Sequence, residues 1–197
     1  MVTRPARPDQ PLPLIHVRPG QQVVRQGEPE LAPHVVSSGA LLAAAVLADG
    51  QILASDVLGP GDLVGDPTGG PAVSSVRALT TSRLRPASGS ELVSLLSRRA
   101  CRLVDLACEL AWLGVTERVE QRLSDLASRF GEPVREGLSV RLDLTQEDLA
   151  ALCGTSRESA NRALRALQRR QRIRVPARGH YVVGVPSCSK MRLHVLQ

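Results

Sequence analysis

Residues 144–167 read LTQEDLAALCGTSRESANRALRAL, and this stretch decides the fold of the C-terminal part of the chain. Thr145 suits the N-cap of a first short helix, with Asp148 three residues later as a partial capping box. Gly154 tolerates the positive φ of a tight turn, and Ser156 suits the N-cap of a second helix. The buried stripe of that second helix falls at Ala160, Ala163, Leu164 and Leu167. The pattern predicts a helix-turn-helix.

The outer face of the second predicted helix carries side chains that can read DNA bases. Arginine pairs with guanine, asparagine with adenine, and glutamate accepts a hydrogen bond from cytosine. Such a helix enters the major groove by its N-terminal end. We therefore predict base-reading roles for Arg157, Glu158, Asn161 and Arg162, with Glu158 also bracing Arg162 at i,i+4. The alternative is a solvated face on an ordinary pair of amphipathic helices.

Basic charge is concentrated in the same part of the chain. Residues 145–197 hold ten basic and three acidic side chains, a net charge of +7, whereas residues 1–144 sum to −1. This asymmetry favours contact with nucleic-acid phosphates. Arginine outnumbers lysine 24 to 1, which suggests a GC-biased genome, so only the clustering of the arginines supports DNA binding.

The bulk composition argues against several other classes of protein. Hydrophobic residues make up 43% of the 197-residue chain and aromatic residues only 2%, so the core must consist of Leu, Val and Ala. Base stacking on aromatic side chains, as in single-strand binders, is therefore not expected. No apolar run reaches the roughly 18 residues of a membrane span. No signal-peptide apolar region follows the proline-rich residues 1–14, which we expect to form a disordered arm of a cytoplasmic protein.

Cysteine and histidine spacing argues against a metal centre. The cysteines form no C-x-x-C pair and the histidines form no ligand cluster. They lie at Cys101, Cys108, Cys153, Cys188, His16, His34, His180 and His194. We therefore expect reduced thiols and no metal or other cofactor. Cys101 and Cys108 are seven residues apart on a predicted helix and share a face, which leaves a redox-responsive switch as an alternative.

Residues 15–87 are typical of a β-rich domain. Short apolar fragments are separated by turn signals built from Gly, Pro, Asp and Ser. Several short strands at this spacing predict a barrel or sandwich, here a jelly roll. The predicted strands are 22–25, 34–36, 41–47, 51–58 and 73–79.

From residue 88 to residue 113 the apolar spacing becomes helical. A heptad seam recurs in alternating steps of four and three at Leu96, Ala100, Leu103, Ala107 and Leu110. Further apolar residues give this helix enough surface for two contacts, one with its own β domain and one with a second copy. We predict a parallel homodimer along the seam. The alternative is a helix that packs only on its own β domain.

The remaining residues surround the helix-turn-helix. Residues 115–129 predict a further helix and residues 138–144 a strand. The β-branched and aromatic residues of Ile173-Arg174-Val175 and Tyr181-Val182-Val183 flank a turn and predict a β-hairpin, so the fold is a winged helix. The tail at 186–197 is left unassigned. The whole chain is expected to be an α+β protein, with a β-barrel of jelly-roll type, a long dimerisation helix and a winged helix-turn-helix.

Three stretches resemble the Crp/Fnr family of cyclic-AMP receptor protein-like regulators. GPGDLVGD at 59–66 resembles the Gly-Asp turn of cyclic-nucleotide-binding barrels, and TSRESANR at 155–162 resembles the family's recognition helix. AWLGVTERV at 111–119 resembles the hinge between the dimer helix and the DNA-binding domain. The resemblance implies an effector barrel at 15–87, a dimerisation helix at 88–113 and a DNA-binding domain at 114–197.

The resemblance also implies roles for individual residues. In family members with the same triad, the residues that match Arg157, Glu158 and Arg162 read a TGTGA-type half-site. Phosphate contacts are expected at Thr145, Ser156, Ser159, Arg165 and, in the wing, Arg178. The expected partners are double-stranded DNA with a palindromic operator, a second copy of the chain, and RNA polymerase.

The nucleotide-binding residues of the family are not matched in this chain. The arginine that neutralises the cyclic phosphate falls at Ala72, and the hydroxyl pair that holds adenine falls at Leu103 and Val104. Because burying a phosphate without a cation is costly, we expect a regulator that does not depend on cyclic AMP. Its effector is left open.

Two other functions fit the pattern less well. A cupin-type metal enzyme needs two or three histidines and a carboxylate in its barrel, and residues 15–87 contain only His16 and His34. A lone histidine is more often structural than a haem ligand. A non-specific architectural DNA protein relies on phosphate contact and DNA deformability, and gains nothing from a base-reading triad. We therefore predict a sequence-specific transcriptional regulator without enzymatic activity.

Overall fold

The computed structural model describes residues 13–184. Eight strands precede the first helix and form two four-stranded sheets. The strands are β1 (Ile15–Val17), β2 (Gln22–Val24), β3 (His34–Ser38), β4 (Leu41–Val46), β5 (Ile52–Leu58), β6 (Leu63–Val64), β7 (Ser75–Ala78) and β8 (Ser82–Pro86). The strand orders are β1-β8-β3-β6 and β2-β7-β4-β5, and every pair is antiparallel.

The two sheets form a jelly-roll-like sandwich. Side chains from both sheets meet in one apolar core, which includes Val17, Val36, Leu41, Val76 and Leu84. Strand pairing within residues 13–184 does not connect the two sheets. The predicted jelly-roll fold is therefore confirmed, in the form of two facing sheets that do not close into a barrel.

Three strands of this domain were missed by the sequence pattern because each is short or polar. β1 has three residues, β6 has two, and β8 reads SRLRP with a single aliphatic side chain. That side chain, Leu84, is nevertheless fully buried. These strands are held by their neighbours in the sheet rather than by a periodic sequence signal of their own.

A long helix, α1 (Gly89–Trp112), follows the β domain and packs on it through Leu95 and Leu106. Ser88 is its N-cap, and the Ser88 backbone N–H donates to the Glu91 carboxylate at 3.0 Å. The Arg85 guanidinium on the same carboxylate, together with the Ser88 N–H, lowers the pKa of Glu91 to about 2. This helix begins and ends within one residue of the prediction.

The C-terminal part is the predicted winged helix. It consists of α2 (Val115–Phe130), β9 (Glu132–Val134), β10 (Gly137–Arg141), α3 (Gln146–Leu152), α4 (Arg157–Arg169), β11 (Ile173–Ala177) and β12 (His180–Val183). Its sheet has the order β11-β12-β10-β9. β9 was missed, and β10 ends at Arg141 rather than at residue 144. The wing hairpin turns at Gly179, whose φ is +68°.

One apolar core joins the β domain to the winged helix. Its buried members include Leu42, Ala54, Val57, Leu79, Val119, Leu123, Leu126, Leu149 and Leu152. The same interface holds a two-point contact in which Arg77 on β7 donates to both oxygens of the Asp148 carboxylate on α3, each at 2.9 Å. Apolar and charged contacts therefore fix the helix-turn-helix against the β domain.

A second charged contact between the two parts of the chain centres on Arg129 at the end of α2. Its Nη1 lies 3.0 Å from Asp56 Oδ1 and its Nη2 lies 2.8 Å from Asp62 Oδ2. Nη2 also donates to the carbonyl oxygen of Val57 at 2.6 Å. Arg102 on α1 completes the group, with Nε 2.6 Å from Asp56 Oδ2 and Nη1 2.9 Å from Asp62 Oδ1. We call Asp56, Asp62, Arg102 and Arg129 the interdomain ion cluster.

The ends of the chain fall outside the described residues. All but the last two residues of the predicted arm at 1–14, the whole tail at 186–197, and Cys188 within it lie there. Within residues 13–184, no helix has the combined length and apolarity that crossing a membrane would require.

Candidate nucleic-acid interface

Both helices of the helix-turn-helix are capped as the sequence predicts. Thr145 Oγ1 accepts the Asp148 backbone N–H at 3.0 Å, and the Thr145 N–H donates to Asp148 Oδ2 at 2.8 Å, a reciprocal capping box. Ser156 Oγ accepts the Ser159 N–H at 3.2 Å. Between the helices, Gly154 has φ +54°, and a side chain there would strike Leu110 of α1. The positive φ therefore favours glycine at the turn, and any larger residue would also displace the end of the Leu110 side chain.

The recognition helix candidate, α4, buries one face and exposes the other. Ala160, Ala163, Leu164 and Leu167 are each at most 6% exposed. Arg157, Glu158 and Arg162 are exposed and Asn161 is half-buried. The structure thus places all four predicted base-reading residues in the N-terminal half of α4, on its exposed side.

Three of the four candidate readers are held by partners. Arg157 Nη1 lies 2.9 Å from Glu147 Oε1, and Asn161 Nδ2 donates to Gln146 Oε1 at 3.0 Å. Arg162 Nη2 donates to Ser159 Oγ at 2.9 Å. The predicted bracing of Arg162 by Glu158 is not observed among the described residues, because the serine one turn earlier takes that role.

The candidate phosphate contacts surround this face. The Thr145, Ser156 and Ser159 hydroxyls lie at the two helix N-termini, where they already serve as caps or bind each other. Arg165 on α4 and Arg178 at the wing turn are exposed. Arg172 and Arg174 are instead paired with Glu120 and Glu136. Helix N-termini and exposed guanidinium groups are the chemistry that positions a protein on a phosphate backbone.

Sequence reasoning missed Gln146 and Glu147, the first two residues of α3. Each contacts a candidate reader on α4. The contact between Asn161 and Gln146 spans 15 residues and crosses the turn. Neither helical period nor composition gives such a pairing, because it depends on the crossing of α3 and α4.

Four of the five residues of the predicted seam on α1 are exposed. Leu96 and Leu103 are 36% and 45% exposed and Ala100 and Ala107 are exposed, while Leu110 is half-buried beneath Gly154. A second set of exposed apolar residues recurs beside them in steps of seven, four, three and four, at Val93, Ala100, Val104, Ala107 and Ala111. We call these five the exposed stripe. It keeps Ala100 and Ala107 of the predicted seam and lies slightly to one side of its leucines.

A small cavity lies between the β domain and α1. Its lining includes Glu30, Ser55, Asp56, Arg99, Arg102 and Leu103, and its volume is about 20 Å³. That is room for about one water molecule, whereas small-molecule sites usually occupy about 300–1,000 Å³. Burial raises the pKa of Glu30. Ala72, at the position of the family's phosphate-binding arginine, is buried in the apolar core.

The three cysteines within residues 13–184 do not form a redox pair in one chain. Cys101 is exposed, Cys108 is half-buried and Cys153 is buried, and burial raises the pKa of the Cys153 thiol to about 12. Cys101 and Cys108 share α1, as predicted, but a seven-residue separation along a helix amounts to about 10 Å. This exceeds the roughly 7 Å that a disulfide spans between Cα atoms.

The histidine of the β domain core is structural. His34 is 1% exposed, and its Nδ1 and Nε2 face the carbonyl oxygens of Ala32 and Pro13 at 2.7 and 3.1 Å. Both ring nitrogens are thus engaged by the backbone. Among the described residues, no three His, Cys, Asp or Glu side chains are grouped closely enough to hold a metal ion.

Comparison with known proteins accounts for both parts of the chain. Residues 14–99 match the cyclic nucleotide-binding domain and residues 117–191 match the Crp-like helix-turn-helix domain. The chain belongs to the Crp/Fnr family of transcriptional regulators. The relatives and neighbours that follow are named as regulators.

One relative of known sequence matches part of this chain. It is 40% identical over 91 residues to the CRP-like cAMP-activated global transcriptional regulator of Mycobacterium tuberculosis, which is 46% of this chain and 41% of that relative. The chain therefore matches less than half the length of this curated relative.

Solved structures share the fold over most of the chain. The regulator TTHA1359 of Thermus thermophilus superposes with a TM-score of 0.76 at 21% identity, over 87% of this chain and 93% of that one. The c-di-GMP-responsive global regulator CLP of Xanthomonas campestris superposes with a TM-score of 0.69 at 27% identity, over 88% and 94%.

Proposed function

We propose that the protein is a sequence-specific, DNA-binding transcriptional regulator that acts as a homodimer on a palindromic operator. In this proposal residues 15–87 are the effector-type domain, residues 88–113 the dimerisation helix and residues 114–197 the DNA-binding domain. The observation that carries it is the set Arg157, Glu158, Asn161 and Arg162 on the exposed side of a capped α4. These side chains complement guanine, cytosine and adenine edges in the major groove.

Selection of bound sequences from a random duplex library tests this proposal. We expect the wild type to enrich two inverted TGTGA-like half-sites, about one helical turn apart, as two-fold symmetry requires. Arg157→Ala should weaken binding to the selected site by about 1–3 kcal/mol and relax the preference at one base pair. An unchanged sequence preference in this variant would show that α4 does not read bases through Arg157.

Arg178→Ala is the matched control for the arginine experiment. This exposed arginine lies at the wing turn, outside α4. A phosphate contact carries no base information, so the variant should bind all sequences more weakly and depend less steeply on salt concentration. Its enriched half-site should be that of the wild type.

The exposed stripe of α1 supports the homodimer. Five small or β-branched apolar residues at heptad spacing face away from the chain's own β domain, and exposed apolar heptads pack against a second helix. Two copies related by a two-fold axis would present two recognition helices to the DNA. RNA polymerase is the further protein partner of this proposal, and the cytoplasm its place of action.

Independence from cyclic AMP is the second element of the proposal. The cavity beneath α1 has room for about one water molecule rather than a nucleotide, Leu103 lines it, and Ala72 supplies no cation. The arginines that line it share it with the Glu30 and Asp56 carboxylates, and Arg102 is already paired with Asp56 and Asp62. A cyclic phosphate placed there would lose its hydration beside two carboxylates.

We therefore expect isothermal calorimetry to detect no tight binding of cyclic AMP, and the DNA titration to be the same with and without it. A DNA affinity that rises at least tenfold with cyclic AMP would refute this element. The M. tuberculosis relative, named as cAMP-activated, is the positive control for the calorimetry.

A further inference from the structure

A side-chain amide pair connects the two helices of the helix-turn-helix. Asn161 Nδ2 on α4 donates to Gln146 Oε1 on α3 at 3.0 Å. Gln146 is exposed and Asn161 half-buried, so the pair lies where α3 and α4 meet the solvent beside the candidate readers. Gln146 has no role in the function proposed so far.

Both members of the pair stand on well-fixed backbone. Gln146 is the first residue of α3, directly after the capping box of Thr145 and Asp148. The Asp148 carboxylate is itself held by Arg77 of the β domain. Asn161 follows the buried Ala160 and precedes the buried Ala163 and Leu164 within α4. The acceptor on α3 and the donor on α4 therefore meet without ordering a loop.

The pair holds the Asn161 amide in place beside α3. A carboxamide offers two N–H donors on one side and a carbonyl acceptor on the other. One Nδ2 hydrogen points to Gln146 Oε1. If both amides turned over, Gln146 Nε2 would donate to Asn161 Oδ1 instead, so the contact persists in either arrangement. Gln146 thus fixes the position of the Asn161 side chain.

The observed pair leaves free the two groups that adenine recognition uses. An asparagine reads adenine by donating one N–H to N7 and accepting from the N6 amino group. With one Nδ2 hydrogen bound to Gln146, the second Nδ2 hydrogen and Oδ1 remain for the base. Asn161 is therefore preset as an adenine reader before DNA arrives.

We propose that Gln146 is a positioning residue that makes Asn161 specific for adenine, so that α3 takes part in setting the preferred half-site. The proposal rests on the proposed function, because it requires α4 to read bases. Gln146 acts through Asn161 and not through a base contact of its own.

The test is bound-sequence selection with the full-length wild type, Asn161→Ala, Gln146→Ala and Gln146→Glu. Asn161→Ala should lower the preference for adenine at one base pair by about 5- to 150-fold. Gln146→Ala should lower the preference at that same base pair and leave the guanine positions unchanged. Gln146→Glu keeps an acceptor for Nδ2, so it should retain the adenine preference while its added negative charge weakens binding to all sequences.

Glu147→Gln is the matched control in the same turn of α3. Glu147 contacts Arg157 and not Asn161, so its removal should leave the adenine preference intact. Circular dichroism and the thermal midpoint should be the same for Gln146→Ala and the wild type, because Gln146 is exposed at a helix end.

The outcomes separate the inference from the proposed function. A Gln146→Ala variant with the wild-type preference overturns the positioning role, whether Asn161→Ala alters the preference or not. Loss of adenine preference in Gln146→Glu as well as in Gln146→Ala also overturns it, since the acceptor would then be irrelevant. A wild type that enriches no sequence at all overturns the proposed function, and the positioning role with it.

Discussion

Replacing Arg129 with alanine should lower the free energy of unfolding by about 3 kcal/mol, the lower end of the range for breaking a buried ion pair, because Arg102 then remains as the one cation beside two part-buried carboxylates. The Arg129 side chain is 23% exposed, and those of Asp56 and Asp62 are 13% and 11% exposed. Burial alone would lower the pKa of Arg129. The carboxylates of Asp56, Asp125 and Asp62 more than offset burial, and its pKa is raised.

The effect of this substitution reaches beyond α2. Arg129 also donates to the Val57 carbonyl at 2.6 Å, so the variant leaves a backbone acceptor of the β domain without this partner. Arg102 stays near both carboxylates, but one guanidinium must then balance two carboxylates. We therefore expect the winged helix to be held less firmly against the β domain.

Urea unfolding at one fixed protein concentration measures the change, since the stability of a dimer depends on concentration. Arg129→Lys keeps the charge but not the planar fork of donors, so it should lose only part of the stability. Arg83→Ala is the control, because Arg83 is exposed and forms no ion pair within the described residues; it should change stability by at most about 0.5 kcal/mol. An Arg129→Ala variant as stable as Arg83→Ala would show that the interdomain ion cluster does not stabilise the fold.

Ion pairs between the β domain and the winged helix could not be predicted from the sequence pattern. Arg129 and Asp56 are 73 residues apart, and Arg77 and Asp148 are 71 apart. Each pair joins a strand of the β domain to a helix of the winged helix. Helical and strand periods describe which residues share a face of one element, but not which face meets which. The ion pairs therefore emerge only once the domains are packed.

The helix-turn-helix was predictable because its signals are local. Thr145 and Ser156 each cap the helix that follows them, within three residues of their partners. Gly154 stands at the turn that its positive φ allows. The predicted Glu158–Arg162 brace is not formed among the described residues, because Arg162 donates to Ser159 Oγ instead. Here the choice between two helical neighbours depended on rotamers rather than on spacing.

The predicted seam of α1 shows what heptad spacing can predict about a helix and what it cannot. A helix with apolar residues around much of its circumference permits several heptad frames, and spacing alone cannot rank them. Packing does so, because Leu110 is drawn beneath Gly154 and Leu103 borders the cavity under α1. Among the exposed apolar residues of α1, the exposed stripe is the set that we assign to the proposed second copy, and Val104 at its centre is 53% exposed.

Val104→Glu should accordingly convert the dimer to a monomer. In a parallel pair of helices the two copies of residue 104 would face each other across the two-fold axis, and two carboxylates there would repel and lose hydration. Ser94→Glu is the matched control, because Ser94 is exposed on α1 but lies outside the exposed stripe. Sedimentation equilibrium at micromolar concentration should show a monomer for the first variant and a dimer for the second.

The loss of DNA binding should follow from geometry rather than from any damage to the recognition helix. Each monomer of Val104→Glu keeps Arg157, Asn161 and Arg162 on an intact α4. Its affinity for an isolated half-site should therefore equal the affinity that one wild-type recognition helix has for that half-site. Two linked half-sites gain about 10²- to 10⁴-fold in affinity from being bound together. The variant should therefore lose that factor on the palindromic duplex only. A Val104→Glu protein that remains a dimer, or that binds the palindrome like Ser94→Glu, would place the dimer contact elsewhere on the chain.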